Sequence, residues 1–161
     1  MMPIDRERLK SFFESNLPRI VFESSCLEET LAFASETAGY LKAGDVMALE
    51  GDLGAGKTVF VKGLAMGLNL KNPDEVKSPT FVLMHLYPTS IPLYHFDLYR
   101  LEKDQDIDSI GLEDFIHDSQ AIICIEWAQK AKKYLPLKTY YCRIQSTDET
   151  SRKIILEKRG A

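Results

Sequence analysis

Residues 51–58 read GDLGAGKT, and this stretch decides the fold that the sequence predicts. It fits the pattern G-x-x-x-x-G-K-[ST]. The stretch follows VMALE at 46–50, a short apolar run typical of a buried strand. It precedes a segment, 60–68, whose apolar residues recur at helical spacing. A strand, a glycine-rich turn and a helix in this order are the context of a phosphate-binding loop, so we expect a P-loop NTPase fold.

The residue types of this loop suit the binding of nucleotide phosphates. Glycines allow backbone conformations that turn successive N–H groups toward an anion, and the following helix begins with its positive end at the same place. We expect Lys57 to place its charge between the β- and γ-phosphates and Thr58 to offer its hydroxyl to Mg²⁺. The loop residues expected to contact the nucleotide are Asp52, Leu53, Gly54, Ala55, Gly56, Lys57 and Thr58.

The rest of the pattern predicts an α/β fold, a single domain with a mixed sheet flanked by helices. The runs at 81–87 and 93–99 are close enough along the chain to form an antiparallel hairpin, which would make the sheet mixed. Short helices are expected near 112–117 and 128–133. The other predicted strands are 19–24, 46–50, 121–127, 139–145 and 153–158.

Two further helices are expected before the loop. Residues 1–18 predict a short helix that ends near Pro18, an extension loosely attached to a P-loop ATPase domain at 19–161. Ser25 followed by Glu28 predicts a capping box at the start of the second helix. The apolar residues of that helix, at helical spacing, are Leu27, Leu31, Ala34, Ala38 and Leu41.

The composition is that of one globular domain. The chain has 161 residues, of which 45% are hydrophobic and 27% charged. No apolar run approaches the roughly 20 residues of a membrane span, and the N-terminal segment lacks the apolar core of a signal peptide. The three cysteines are widely spaced and give neither a disulfide framework nor a metal-binding pair. We therefore expect a protein of the reducing cytoplasm with no membrane partner.

Charge is unevenly distributed along the chain, although the net charge is only −4. Residues 102–118 hold seven acids and one base, whereas residues 127–147 hold five bases and no acid. Two solvated faces explain this pattern most simply. The alternative is a pair of surfaces that face different partners, with tRNA on the basic one.

Two acids end apolar strands and are candidates for the site. Asp97 closes the run at 93–96, and Glu126 closes the run at 122–125. A phosphate-binding loop needs an acid from a neighbouring strand for its Mg²⁺, and both acids would lie at the ligand edge of the sheet. We expect His95 to be a satisfied core or edge histidine and Cys124 to be an inert core thiol.

Four blocks together resemble one family. These are GDLGAGKT, KSPTF at 77–81, HFDLYR at 95–100 and IEW at 125–127. In this order and spacing they are similar to the TsaE family, formerly YjeE, small bacterial ATPases of tRNA threonylcarbamoyladenosine synthesis. The resemblance covers roughly residues 20–158. It implies ATP and Mg²⁺ as ligands, TsaD- and TsaB-like partner proteins, and contact with tRNA only through their complex.

The resemblance also implies roles for individual residues. Ser78, Pro79 and Thr80 would form the loop that senses the γ-phosphate, and Trp127 would lie beside the nucleotide. The implied catalytic residues are Lys57, Thr80, Asp97 and Glu126, with Thr58 and Glu126 as the ligands of Mg²⁺. The further residues implied to contact nucleotide are Leu27 and Thr30 near adenine, Gln129, and Arg152 closing over the nucleotide. Val59 and Gln129 depart from residues that some members carry.

Two other functions fit the same loop. A small phosphoryl-transfer kinase would need an acceptor pocket and an arginine-bearing lid, and the acidic stretch 102–118 would repel phosphates. A nucleotide-dependent binding switch with negligible turnover shares every motif with the ATPase.

Overall fold

The computed structural model describes residues 3–159, which form one sheet with helices packed on it. The strands are β1 (Arg19–Ser24), β2 (Val46–Glu50), β3 (Met84–Tyr87), β4 (Leu93–Asp97), β5 (Ile122–Glu126), β6 (Thr139–Ser146) and β7 (Arg152–Lys158). The α-helices are α1 (Arg6–Glu14), α2 (Leu27–Ala38), α3 (Lys57–Gly67), α4 (Asp104–Ser109) and α5 (Leu112–Ile116), and 3-10 helices span Pro73–Glu75 and Ala128–Tyr134. Residues 1 and 2 of the predicted N-terminal segment, and residues 160 and 161 of the predicted ATPase domain, lie outside the described residues.

The sheet is mixed, as predicted, with the strand order β1-β7-β6-β2-β5-β4-β3. Its centre is parallel, because β2 lies between β6 and β5 and β4 lies on the far side of β5. The predicted hairpin is confirmed, since β3 pairs antiparallel with β4. The carboxyl ends of β2, β4 and β5 therefore meet at one edge, where ligands of open α/β sheets bind.

Each face of the sheet has its own core. Met47 and Leu49 of β2 belong to a cluster with residues of α1, α2 and α3. Val46 and Ala48, the alternate residues of the same strand, belong to a second cluster with residues of α4 and α5. Because successive side chains of a strand point to opposite faces, a strand buried on both sides reads as the continuous apolar run VMALE.

Three predicted strands are shorter than expected, two of them for a local reason. The 81–87 strand begins only at Met84, because Leu83 has a left-handed φ of 70°. The 93–99 strand ends at Asp97, whose Oδ1 accepts the N–H of Tyr99 at 2.9 Å and turns the chain. The 121–127 strand spans Ile122–Glu126.

The expected loose attachment of the N-terminal helix is wrong. Leu9 and Phe12 of α1 are fully buried and belong to the cluster under α2 and α3. The ring of Phe13 stacks on Tyr40, with centroids 5.5 Å apart. The apolar residues at positions 9, 12 and 13 lie three and four apart, which is the spacing of a helix face turned toward a core.

The predicted capping box does not form. The N-cap of α2 is Cys26, whose side chain makes no capping hydrogen bond, and the N–H and the hydroxyl of Ser25, the residue before it, donate to Glu29 Oε2 at 2.7 and 3.0 Å. Among the apolar residues predicted at helical spacing, Ala34, Ala38 and Leu41 are buried, whereas Leu27 at the start of the helix is 52% exposed.

The short helices expected near 112–117 and 128–133 are found, and α4 is an additional helix whose buried residue is Ile107.

The acidic stretch 102–118 and the basic stretch 127–147 contact each other. Lys133 pairs with Asp104 at 3.1 Å, and the Tyr134 hydroxyl donates to Asp108. The acidic stretch therefore contacts the basic one at Lys133 and Tyr134, whereas Lys138 and Arg143 pair with acids outside it.

Candidate nucleotide site

The glycine-rich loop connects β2 to α3 and lies against β6. Gly56 precedes the first residue of the helix with a left-handed φ of 109°, a conformation that favours glycine. At Gly51 a Cβ would lie 2.6 Å from the carbonyl oxygen of Ile144, so no side chain fits there. The first N–H groups of an α-helix have no partner within the helix, and α3 begins at this loop. The loop thus has the geometry of an anion cradle.

Lys57 is the first residue of α3 and lies inside the loop. Its side chain is buried, and Nζ donates to the carbonyls of Gly51 and Asp52 at 2.7 and 2.8 Å. Nζ also lies 4.4 Å from the centroid of the Trp127 ring. Burial lowers the pKa of Lys57, and the negative charges of Glu126 and Asp97 partly oppose that effect. Two carboxylates and one ammonium group leave this part of the site with an excess of negative charge.

Glu126 and Thr58 meet at the carboxyl end of the sheet. The Thr58 hydroxyl donates to Glu126 Oε1 at 2.7 Å. Nε2 of His95 lies 2.8 Å from the same oxygen, and both Glu126 and His95 are buried. The expectation for His95 is correct, since its ring is in the core with both nitrogens in contact with polar partners. One of these partners, Glu126, is nonetheless a candidate site residue.

Asp97 joins β4 to the segment at 78–80. The hydroxyls of Ser78 and Thr80 both donate to Asp97 Oδ2, at 2.6 and 2.7 Å. Asp97 is 2% exposed, and its other oxygen accepts the N–H of Tyr99. The structure therefore brings the KSPT segment, Asp97 and Glu126 to the same edge of the sheet.

A cleft of about 370 Å³ lies beside the glycine-rich loop. It contains the predicted contact residues Leu27, Thr30 and Arg152 together with Gly56. The sequence predicted no nucleotide contact for its other lining residues, which are Cys26, Glu28, Val59, Glu149 and Thr150. The turn between β6 and β7 supplies Glu149 and Thr150, and only the strand order shows that this turn reaches the loop.

Arg152 fastens that turn to the loop. Its Nε donates to the carbonyl of Ala55 at 2.7 Å. Its Nη1 donates to the carbonyls of Asp148 and Ser151 at 3.2 and 2.9 Å. Arg152 thus lines the cleft, with these donors directed to backbone oxygens of the chain itself.

Three comparisons place this geometry among known proteins. The family model described as "Threonylcarbamoyl adenosine biosynthesis protein TsaE" matches residues 24–154. The chain belongs to the TsaE family. The tRNA threonylcarbamoyladenosine biosynthesis protein TsaE of Bacillus subtilis is 41% identical over 128 residues, which are 79% of this chain and 78% of that protein. Its counterpart in Aquifex aeolicus is 38% identical over 139 residues, 86% of this chain and 94% of that protein.

A solved structure shows the same fold. The crystal structure of Bacillus subtilis YdiB superposes with a TM-score of 0.73 at 35% sequence identity, covering 88% of this chain and 87% of that one. The chain therefore has the α/β P-loop fold of the TsaE family, with its mixed sheet and flanking helices, as predicted from the sequence.

Gln129, a predicted contact residue of this TsaE-family protein, lies apart from the cleft. It lines a second depression, of about 530 Å³, together with Arg143 and two predicted contact residues of the loop, Asp52 and Leu53. The structure does not bring Gln129 to Leu27 and Arg152. Trp127, whose ring lies beside Lys57 Nζ, has a left-handed φ of 57°, and its ring lies 5.0 Å from that of Tyr99. A non-glycine residue in this conformation beside a site is a sign of functional constraint.

Two further observations concern residues 3–159. None of their helices is long and apolar enough to cross a membrane. They also contain no cluster of three or more histidine, cysteine or acidic side chains arranged to hold a metal ion. A site for Mg²⁺ does not need such a cluster, because Mg²⁺ is commonly held by one or two carboxylates together with phosphates and water.

Proposed function

We propose that this protein is a magnesium-dependent ATPase, the energy-coupling subunit of the machinery that makes threonylcarbamoyladenosine beside the tRNA anticodon. The observation that carries the proposal is the 2.7 Å contact between Thr58 of the glycine-rich loop and Glu126 of the neighbouring strand. Hydroxyl and carboxylate oxygens are hard donors of the kind that Mg²⁺ prefers. Their pairing beside the buried Lys57 supports a binding site for a nucleoside triphosphate with its metal ion.

In this proposal the two ends of the nucleotide bind to two adjoining parts of the site. Its phosphates lie in the loop from Asp52 to Thr58, where Lys57 exchanges its two carbonyl partners for phosphate oxygens. Its base enters the cleft between Leu27 and Arg152. The cleft joins the loop at Gly56, so base and phosphates can be bound together.

The metal would be held by Thr58 and Glu126, with water and phosphate oxygens completing its shell. Mg²⁺ supplies neutralisation of the charge on the phosphates during transfer. Asp97 lies near enough to the loop to influence Lys57, and we assign it the orientation of the attacking water. The hydroxyls of Ser78 and Thr80, now bonded to Asp97, are available to bind the γ-phosphate in exchange.

The reaction is expected to be slow in the isolated chain. The arginine at the cleft, Arg152, directs Nε to the carbonyl of Ala55 in the loop and Nη1 to that of Ser151, so these donors are bonded to backbone oxygens and not aimed at a phosphate. Some NTPases lack part of the set of residues that stabilises the transferring phosphoryl group. A partner protein then supplies the missing residue or orders the residues that are present. Membership of the TsaE family links the chain to tRNA threonylcarbamoyladenosine biosynthesis, and TsaD- and TsaB-like proteins are the partners we propose.

The kinase alternative has less support. Residues 102–118 hold α4 and α5. Their apolar residues Ile107, Leu112 and Ile116 are buried on one face of the sheet, and α3 packs on the other face. This stretch is therefore packed on the sheet and is not a lid above the loop. The binding switch remains the alternative that only a rate measurement separates from the ATPase.

The test is ATP turnover by the purified chain, alone and with its TsaB and TsaD partners, beside a Lys57→Ala control. We expect slow turnover alone, a clear rise with both partners, and neither with Lys57→Ala. Rapid turnover without any partner effect would contradict the coupling role. ATP binding with no turnover under any condition would favour the binding switch.

A further inference from the structure

A line of polar side chains runs through the core to Glu126. His95 of β4 is fully buried, and its Nε2 lies 2.8 Å from Glu126 Oε1. Its Nδ1 lies 3.3 Å from the hydroxyl of Tyr87 on the edge strand β3. That hydroxyl lies 3.4 Å from the carbonyl oxygen of Lys77, the residue before Ser78. The line therefore connects Glu126 with the segment that carries the hydroxyls of Ser78 and Thr80.

The position of the ring proton sets the direction of this line. When Nε2 carries the ring proton it donates to the Glu126 carboxylate, and Nδ1 is then an acceptor. The Tyr87 hydroxyl has one proton and two possible acceptors, His95 Nδ1 and the Lys77 carbonyl, at similar distances. The ring of His95 thus has a polar partner at each of its two nitrogens.

The same bonds orient the carboxylate. Glu126 Oε1 accepts from Thr58 and lies within hydrogen-bond distance of His95, whereas Oε2 has no hydrogen-bond partner among residues 3–159. Burying an imidazole is unfavourable unless both of its nitrogens are satisfied, and an apolar side chain would fill the position without that requirement. A histidine that orients a metal-binding carboxylate resembles the outer-shell partners that tune many metal sites.

We propose that His95 is a positioning residue that holds the Glu126 carboxylate ready for Mg²⁺, with Tyr87 fixing its ring. The inference rests on the proposed function, because it assigns Glu126 to the metal. His95 touches neither nucleotide nor metal in this account. Its effect is on the affinity for Mg²⁺ and on the link between Glu126 and the segment at 77–80.

The test compares two variants at position 95. His95→Gln keeps an amide N–H that can reach Glu126, whereas His95→Leu keeps only apolar bulk. Cys124→Ala is the matched control, because Cys124 is the buried residue that pairs with His95 across β4 and β5, and the side-chain hydrogen bonds to Glu126 come from Thr58 and His95 and not from Cys124. Trp127 is the single tryptophan of the chain and follows Glu126 directly, so its fluorescence can report Mg²⁺ binding to the complex with a non-hydrolysable ATP analogue.

We expect His95→Leu to raise the Mg²⁺ concentration at half-saturation by about 10- to 100-fold. His95→Gln and Cys124→Ala should stay within about threefold of the wild type, and affinity for the metal-free analogue should be unchanged in all three. Tyr87→Phe should give an intermediate shift. A purely structural role would lower thermal stability without moving the Mg²⁺ midpoint.

Equal midpoints for His95→Leu, Cys124→Ala and the wild type would overturn the inference while leaving the proposed function standing. A wild-type protein whose nucleotide binding does not depend on Mg²⁺ would overturn both. Should His95→Leu fail to fold, His95→Asn replaces it, since its amide is one methylene too short to reach Glu126. The inference then requires His95→Asn to lose Mg²⁺ affinity and His95→Gln to keep it, and equal midpoints would contradict it.

Discussion

The Thr58 hydroxyl donates to Glu126 Oε1 at 2.7 Å, although 68 residues separate them in the chain. Sheet register explains the contact, because Leu49 near the end of β2 pairs with Glu126 at the end of β5. The glycine-rich loop then carries the chain from β2 to Thr58 at the start of α3. A parallel pair of strands thus delivers a hydroxyl and a carboxylate to one point at the ligand edge.

Replacing Lys57 by alanine should weaken ATP binding roughly 100-fold. A charged hydrogen bond to phosphate is worth about 1.5–3 kcal/mol, and Lys57 is the buried cation of this loop. Lys62→Ala is the matched control, since Lys62 lies on the same helix and pairs with Asp74 at the surface. Calorimetry that finds equal ATP affinity in both variants would remove Lys57 from the phosphate site.

Asp97→Asn should lower partner-stimulated turnover by about 100-fold while changing ATP affinity less than about threefold. An interaction made mainly in the transition state appears in the rate, whereas uniform binding appears in the affinity. Asp114→Asn, which removes an exposed acid of α5, should leave the rate unchanged. A loss of affinity that accounts for the whole loss of rate would argue against an orienting role for Asp97.

Cys26 should be the one thiol of the native protein that reacts readily at pH 8. Burial raises the pKa of Cys124 and of Cys142, so neither forms the reactive thiolate, and both are inaccessible. Cys26 lines the proposed base cleft, so ATP should slow its alkylation. Mass spectrometry of iodoacetamide-treated protein checks this, with denatured protein as the three-thiol reference. Alkylation at an unchanged rate under saturating ATP would place the base elsewhere.

Phe12→Ala should destabilise the whole domain by about 3–5 kcal/mol. Phe12 is fully buried, and α1 belongs to the core beneath α2 and α3. Leu137→Ala, at a position 86% exposed, should change the free energy of unfolding by less than about 0.5 kcal/mol. Urea denaturation followed by circular dichroism measures both. A small effect of Phe12→Ala would restore the view of a loosely attached extension.

Much of this fold could be predicted because its signals are local. The run VMALE, the glycine-rich loop and the apolar face of α3 each report their own structure through composition and spacing. Asp97 and Glu126 were predicted because each acid ends an apolar run, and the structure brings them to one edge of the sheet; the family blocks added only their individual roles. The roles assigned to these two acids remain predictions for the experiments above.

The features that were missed depend on contacts distant in sequence. Arg152 reaches Ala55 only because β7 lies two strands from β2, and no local pattern reports that distance. His95 was correctly expected in the core, but its contact with Glu126 needs the register of β4 against β5. The burial of α1 was missed for the same reason, since an isolated short helix shows an apolar face without showing what covers it.

The central claim is that Thr58 and Glu126 hold the Mg²⁺ of a bound ATP. Calorimetric titration of ATP into the wild type and Glu126→Gln, each in Mg²⁺ and in EDTA, tests it most directly. The account predicts that Glu126→Gln loses most of the affinity gained from Mg²⁺ while binding metal-free ATP as the wild type does. A variant that keeps the full Mg²⁺ dependence, with Asp97→Asn losing it instead, would contradict the assignment.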